Sequence, residues 1–509
     1  MEALKQTREY RMRWWTLVVI AISILIVVLD STIVNIALPT LQRELGATIA
    51  QLQWIITSYI MVFGALMLTT GSLADRFGRA RLLQLGIIVF AGGSAAAAFS
   101  GSVWQLIIWR AVMGVGGAMI LPATLAIITN VFPREERGKA IGVWAGLNGI
   151  GIALGPIIGG LIIDSLQWNW IFLINLPIAA VALILGWFLV PNSRDPNPKR
   201  LDIPGTLLSI AALGSLVYGL IQGGDVGWGD PVVIATLAGA AVLIFLFILW
   251  ERHTDHPMLE ISFFKNRRFS AGVGAVCLMA LAMIGVTFGL TLYMQFVQGY
   301  TALETGLRFV PLAVGMLIGA SSADRVVSRL GTNRVIVLGF AGTAIAGAFA
   351  AFWQVDTAFW QLGVIFFAFG FFLGYIAAPA TDAVMGALSE AKAGIGSAMN
   401  TVSRMVAGSI GVAVIGSVLS TVYSSSFGKA LAALPDVPAE IAAAASDSVG
   451  AAVTVAPQLP APLNGLLAEA ARQSFMDGWQ VMAFVTCGMS IVGAIVILKF
   501  MPPHHQDLL

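Results

Sequence analysis

Charge is nearly absent from fourteen long stretches of this chain and crowded into the short segments between them. That pattern excludes most folds. A bilayer core takes about 20 apolar residues of helix per crossing, and only helices or closed barrels satisfy their own backbone there. The stretches fall near 14–38, 51–73, 80–99, 103–130, 138–163, 168–190, 202–222, 231–251, 268–297, 303–324, 332–353, 357–388, 394–424 and 474–501. The composition agrees: 58% of the 509 residues are hydrophobic and 11% are charged, whereas soluble domains are about a quarter charged. The fold expected is an all-α polytopic membrane protein with fourteen spans. The run from Trp14 to Pro39 is too long for a signal-peptide core and reads as an uncleaved first span.

The basic residues test the count. With the N-terminus inside, the tail (Lys5, Arg8, Arg11, Arg13), the even-numbered connections and Lys499 place 22 of the 28 Lys and Arg residues on the cytoplasmic side. Arg43, Arg308, Lys429 and Arg472 fall outside, and Arg110 and Arg404 lie within spans four and thirteen. This is the positive-inside asymmetry, with both termini cytoplasmic in the cytoplasmic membrane. One connection is long. Residues 425–473 form an external loop, and 440–455 within it reads equally as a short amphipathic helix or a disordered cap.

A repeat divides the chain. The second-to-third connection carries Arg76, Gly78 and Arg81, and the tenth-to-eleventh carries Arg329, Gly331 and Arg334 at the same spacing. Two six-helix halves with two helices inserted between them explain the offset. The expected units are 1–190, an inserted pair at 191–260, and 261–509.

Four motifs carry a family resemblance. They are Leu29-Asp30-Ser-Thr-Ile-Val-Asn35-Ile-Ala-Leu-Pro39 in span one, Gly71 to Arg81 after span two, Arg110-Ala-Val-Met-Gly114-Val-Gly116-Gly117-Ala118 in span four, and Gly151-Ile-Ala-Leu-Gly155-Pro156-Ile-Ile-Gly159-Gly160 in span five. The run Trp168-Asn-Trp170-Ile-Phe172-Leu-Ile-Asn175-Leu-Pro177 accompanies them. Together and in order they resemble the major facilitator superfamily, and within it the fourteen-span drug:proton antiporters. The resemblance implies two rocking bundles, export by alternating access driven by the proton gradient, and no cofactor. It implies a conformational latch at Gly71, Asp75, Arg76, Gly78 and Arg79. The second copy has Ser328 in place of Asp75, with Asp324 one turn earlier as a substitute. Gly151, Gly155, Pro156, Gly159 and Gly160 match the antiporter motif. Glycines four apart give a flat stripe for helix contact, and the proline removes an amide donor. Span five is therefore expected to seal the bundle interface.

Ionisable residues at mid-bilayer depth are expensive and mark function. Asp30, Arg110, Asp382 and Arg404 are four such residues, at depths of about 9–15 Å by helical rise. Each half offers one acid and one arginine, so the expectation is two proton-coupling pairs, Asp30 with Arg110 and Asp382 with Arg404. An arginine beside an aspartate favours its ionised form, and burial alone favours the protonated form. A coupling acid would alternate between these conditions.

Substrate contacts are read from side-chain type. Asp30, Asn35, Trp54, Tyr59, Met283, Phe288, Tyr375 and Asn400 are the candidates. Aromatic faces attract cations and methionines adapt to varied shapes; Trp54 and Tyr59 also follow the family pattern in span two. Some dication exporters of the family carry further acids in spans ten and thirteen, where this chain has Ala313, Met316, Asn400 and Ser403. Monocationic or neutral lipophilic compounds fit better. The function expected is proton-coupled export of lipophilic or cationic drugs, with dedicated export of an endogenous lipid, siderophore or antibiotic as the alternative. The two cysteines, Cys277 and Cys487, sit in apolar runs and offer no metal site. No nucleotide loop or nucleophile constellation points to an enzyme or a nucleic-acid partner, and a monomer is expected.

Overall fold

A computed structural model describes residues 8–195, 201–388, 393–434 and 437–502. Lys5, Lys199, Arg200 and Lys392, used in the charge count, lie outside these residues. Among the described residues, fourteen helices are long and apolar enough to cross a membrane. In chain order they are α1 (Arg8–Leu45), α2 (Ile49–Phe77), α3 (Arg79–Ala98), α4 (Val103–Val131), α5 (Arg134–Ser165), α6 (Trp170–Leu189), α7 (Ile203–Asp225), α8 (Pro231–His253), α9 (Arg267–Val297), α10 (Ala302–Leu330), α11 (Thr332–Ala350), α12 (Phe359–Gly386), α13 (Ala393–Ala432) and α14 (Leu463–Phe500). Fourteen expected spans meet fourteen helices, so the polytopic all-α fold stands.

Several helices outrun the expected spans. The 40 residues of α13 correspond to about 60 Å of helix, twice a bilayer core of about 30 Å. Its last turns and the first turns of α14 therefore occupy much of the expected 425–473 loop. Between them lie two short helices, Ala439–Asp447 and Val449–Val455. The Tyr423 hydroxyl donates to Ala445 O at 2.8 Å and ties these helices to α13. The cap is thus helical and packed, which decides between the two readings of 440–455.

The repeat is visible in the backbone. Gly78 and Gly331 both take positive φ, 111° and 86°, and each ends one helix and begins the next. A side chain at Gly78 would also collide with the amide of Asn192.

The inserted helices α7 and α8 are bound into the body through α7. The Ser417 hydroxyl of α13 donates to Leu220 O at 2.5 Å, Thr69 and Thr206 share a 2.7 Å hydroxyl bond, and the rings of Trp54 and Tyr218 lie 6.3 Å apart. So α7 bridges α2 and α13, one helix from each half.

The two ends of the molecule differ. At the end away from the arginine-rich loops, the halves are joined. The Asp164 carboxylate at the end of α5 accepts from the Ala302 and Leu303 amides of α10, at 3.2 and 3.0 Å. A Cβ on Gly160 would sit 2.5 Å from Leu303 Cα, and Gly306 lies directly against Pro156 O. Gln53 donates to Val412 O and Ala413 O at 3.1 and 3.2 Å, and Gln295 donates to Ile36 O at 2.9 Å. Of the α5 motif, Gly160 and Pro156 pack on α10 and close this end, whereas Gly151, Gly155 and Gly159 face Val28, Thr32 and Ile33 of α1 in the same half. At the arginine-rich end, a cavity of ≈ 540 Å³ opens between the halves, lined from α2, α4, α5, α12, α13 and the connections around 202 and 256–260.

Two outcomes follow. Gly78→Val forces a side chain into a backbone region costing about 1–3 kcal/mol; thermal unfolding in detergent should show a lowered midpoint, and an unchanged midpoint contradicts the strain. Asp164→Ala removes the acceptor that closes the far end. Spin labels at Gln167 and Glu304 should then report a longer distance, and an unaltered distance distribution would show that Asp164 does not hold the closure.

Candidate functional site

The site begins at Asp30, halfway along α1 and fully buried. A carboxylate there needs partners, because burial without them is costly. The sequence supplies three helices of them. Arg110 of α4 donates through Nη1 to Asp30 Oδ2. The Asn175 amide of α6 donates to Asp30 Oδ1 at 3.2 Å. Asn175 is held by Ser94 of α3, whose hydroxyl lies 3.0 Å from its amide and donates to Phe172 O at 2.8 Å. Arg110 also donates through Nε to Ile55 O at 3.2 Å and lies 4.3 Å above the Tyr59 ring. Both members of the pair are almost completely shielded, Arg110 at 1% exposure and Asp30 at 0%. The result is a neutral, fully enclosed cluster spanning α1, α3, α4 and α6. It is separate from the open cavity, whose wall it does not join.

The glycines of the α4 motif make this packing possible. A Cβ on Gly114 would stand 2.6 Å from Tyr59 O, and one on Gly116 would stand 2.6 Å from Phe90 N. With hydrogen there instead, α4 approaches α2 and α3 closely enough for Arg110 to cross to α1.

The second expected pair does not form. Asp382 lies four residues from the end of α12, about 6 Å from the arginine-rich rim by helical rise. Its side chain is 76% exposed and faces Arg268 at 4.0 Å. Arg404 sits eleven residues into α13, about 16 Å from the same end. The two differ in depth, and Asp382 is exposed at the rim beside Arg268. Counting residues gave similar depths but could not give the direction of the side chain.

The loop motif holds itself together. Arg79 donates through Nε and Nη2 to Asp75 Oδ1 at 3.0 and 2.9 Å, and through Nη1 to Ala126 O at 3.3 Å. The Asp195 amide donates to Asp75 O at 2.9 Å, and the Arg79 amide donates to Ser193 O at 3.0 Å. Among the described residues, Arg76 reaches only the ring of Phe77, 5.7 Å away. So the loop is docked on the segment leading from α6 to the inserted helices, not on the other half. Gly71, Asp75 and Arg79 line the cavity mouth. Asp324, the expected stand-in in the second copy, is exposed and has no partner among the described residues.

The expected substrate contacts are scattered. Tyr59 is buried under Arg110, and Phe288 is buried in the large core cluster that also holds Tyr59. Trp54 packs on Tyr218, Tyr375 packs on Phe371 with centroids 4.7 Å apart, and Met283 is half-buried against a core cluster. Asn35 donates to Ser31 O at 3.0 Å and Asn400 donates to Thr381 Oγ1 at 3.3 Å; each keeps a buried carbonyl oxygen without a partner. None of the eight lines the cavity. Its wall is formed instead by residues such as Met67, Leu121, Trp144, Met258, Ser397 and Thr401. These carry no distinguishing residue type, so sequence reasoning passed over them. Asn175 belongs to the family motif in α6 and was not among the expected site residues; its polar amide inside an apolar run is the signal that marks it. Among the described residues no His, Cys, Asp and Glu cluster could hold a metal.

Comparison with known proteins agrees with this architecture. The Major Facilitator Superfamily matches residues 20–412. The chain is 33% identical over 489 residues to the tetracenomycin C resistance and export protein of Streptomyces glaucescens, covering 95% of this chain and 91% of that one. It is 34% identical over 491 residues to the methyl viologen resistance protein SmvA of Salmonella typhimurium, covering 96% of both. A bacterial homolog of the human lysosomal transporter Spinster, solved in an inward-facing and unoccupied conformation, superposes with a TM-score of 0.64 at 16% identity, covering 96% of this chain and 98% of that one. A multi-pass protein with two joined bundles, a docked arginine loop and the glycine-proline seal of α5, this chain belongs to the major facilitator superfamily of transporters and is not an enzyme.

Proposed function

We propose that the chain is a proton-coupled antiporter that exports lipophilic, drug-like compounds across the cytoplasmic membrane. The arginine-rich end and both termini face the cytoplasm, as the charge asymmetry requires. The observation that carries this reading is the enclosed Asp30–Arg110–Asn175 cluster, an ionisable group deep in the membrane and sealed from the cavity that opens between the halves at the arginine-rich end. Relatives named for export of, or resistance to, tetracenomycin C and methyl viologen support a drug exporter.

The cycle runs between two closures. Substrate enters the ≈ 540 Å³ cavity from the cytoplasm while α5 and α10 hold the outer end shut. Rocking of the halves breaks the Asp164 cap and the Gln53 and Gln295 bonds, and brings the Asp75 loop against the second half. The outer end then opens toward Asp30. A carboxylate favours its ionised form beside an arginine and its protonated form when the pair is parted in an apolar interior. A proton taken from outside onto Asp30 separates it from Arg110, and the return movement restores the pair and delivers the proton inside. A single chain suffices for this cycle, which draws on the proton gradient and on no bound cofactor. The tetracenomycin relative also supports a second reading, dedicated export of one antibiotic; a resistance profile confined to a single compound on overexpression would favour it.

Asp30→Asn keeps the hydrogen-bonding shape but cannot carry the proton. In proteoliposomes under an imposed pH gradient, it should lose proton-driven export by at least about tenfold, while Asp30→Glu retains part of it. Substrate binding should persist in both. Normal gradient-driven export by Asp30→Asn would remove Asp30 from the coupling mechanism.

A further inference from the structure

Arg404 is left without the partner that the sequence suggested for it. It is half-buried in the bundle, and no hydrogen bond, ion pair or ring contact joins it to any described residue. Its position on α13 is informative. Ser397 and Thr401 line the cavity, and Arg404 continues the same helical face at the next step of the i, i+4, i+7 stripe, about 5 Å deeper. Its neighbours Met405 and Val406 pack on Gly64 of α2, with approaches of 3.1 and 3.5 Å to a built Cβ. This stretch of α13 therefore packs on α2 of the other half just beyond the cavity, so that Arg404 stands one turn deeper than the lining residue Thr401 and is not itself part of the wall. One turn back, the Asn400 carbonyl oxygen is also buried and unpartnered.

The charge balance at this depth is one-sided. In the first half, Arg110 and Asp30 neutralise each other. In the second half, Asp382 is at the rim beside Arg268. The other acids near the cavity are at its mouth. Asp75 is bound to Arg79, Asp202 caps α7 and accepts from Trp250 Nε1 at 2.8 Å, and Glu260 lies on the connection after α8. One guanidinium thus stands uncompensated at membrane depth, beyond a wall that includes the apolar Met67, Leu68, Leu121 and Leu125 and carries its acids at the mouth.

We propose that Arg404 recognises an ionised acid group on a lipophilic substrate, so that the exporter prefers lipophilic anions, carboxylates above all, over cations of the same shape. This rests on the export reading given above. An unpaired charge within a membrane is costly, and an entering carboxylate relieves that cost where an entering cation adds to it. The guanidinium fork matches a carboxylate with two parallel hydrogen bonds. The expectation of monocationic or neutral substrates rested on the lack of further acids in spans ten and thirteen; the unpaired Arg404 adds a positive charge beyond a mouth that carries Asp75, Asp202 and Glu260.

Three probes with one naphthyl scaffold, ending in a carboxylate, a primary amide or an amine, test this by equilibrium binding to the full chain in lipid nanodiscs. Methyl viologen, a permanent dication, serves as a fourth. The carboxylate should bind at least about tenfold more tightly than the amine, the difference expected for one charge-assisted contact. Arg404→Gln should weaken the carboxylate by about tenfold and leave the amide within about twofold, and Arg404→Lys should keep most of the preference. Tighter or equal binding of the amine or of methyl viologen overturns the proposal. So does unchanged carboxylate binding in Arg404→Gln, or an equal loss for all probes, which would make Arg404 structural. If Arg404→Gln does not fold, the wild-type probe series and Arg404→Lys decide. Binding needs no proton gradient, so failure of gradient-driven export with this preference intact would strike the coupling reading alone.

Discussion

A charge inside a membrane must be matched by another group, and the pairing of Asp30 with Arg110 is how the first half of this protein meets that demand. The pair draws four helices together. Arg110 crosses from α4 to α1, Asn175 reaches in from α6, and Ser94 on α3 fixes Asn175 in turn. Removing either ion leaves the other buried without compensation, which costs about 3–5 kcal/mol in proteins where such pairs have been broken. The same dependence makes the pair a switch. Any movement that separates α1 from α4 changes the balance between the ionised and protonated acid.

Close helix approach is the second constraint, because lipid offers no hydrophobic drive between helices and van der Waals contact must supply it. Gly160 and Gly306 bring α5 and α10 into backbone contact, and Asp164 adds a polar cap at the same junction. The closure at this end is therefore dense yet small in extent. A few hydrogen bonds and the contacts of Gly160 and Gly306 separate without melting either bundle. The arginine-rich end has no equivalent seal among the described residues, and its loop motif is satisfied locally through Asp75 and Arg79. An open cavity at one end and a joined interface at the other are two sides of one rigid-body arrangement.

The fold was legible because lipid imposes simple rules. Fourteen apolar runs and the placement of arginines determine fourteen helices in alternating direction, and two glycines with positive φ at Gly78 and Gly331 mark the repeat. The Asp30–Arg110 contact was legible for a similar reason, since two opposite charges at similar depth in one half have few alternatives. Three things were not. Helix ends beyond the bilayer, as in α13, are set by packing with the 439–455 helices rather than by hydropathy. Side-chain direction around a helix decides whether Asp382 faces Arg404 or Arg268, and a single sequence of mostly apolar residues carries little phase information. The cavity wall is made of ordinary residues such as Leu121 and Thr401, whereas the conspicuous aromatics Tyr59 and Phe288 serve as core.

Coupling of substrate movement to proton movement is the central claim. It is tested most directly in proteoliposomes loaded with substrate and a luminal pH dye, diluted into substrate-free buffer with no imposed pH gradient. Antiport requires the lumen to acidify as substrate leaves, at a rate that follows substrate efflux. Substrate efflux through the protein with no change in luminal pH would contradict the account.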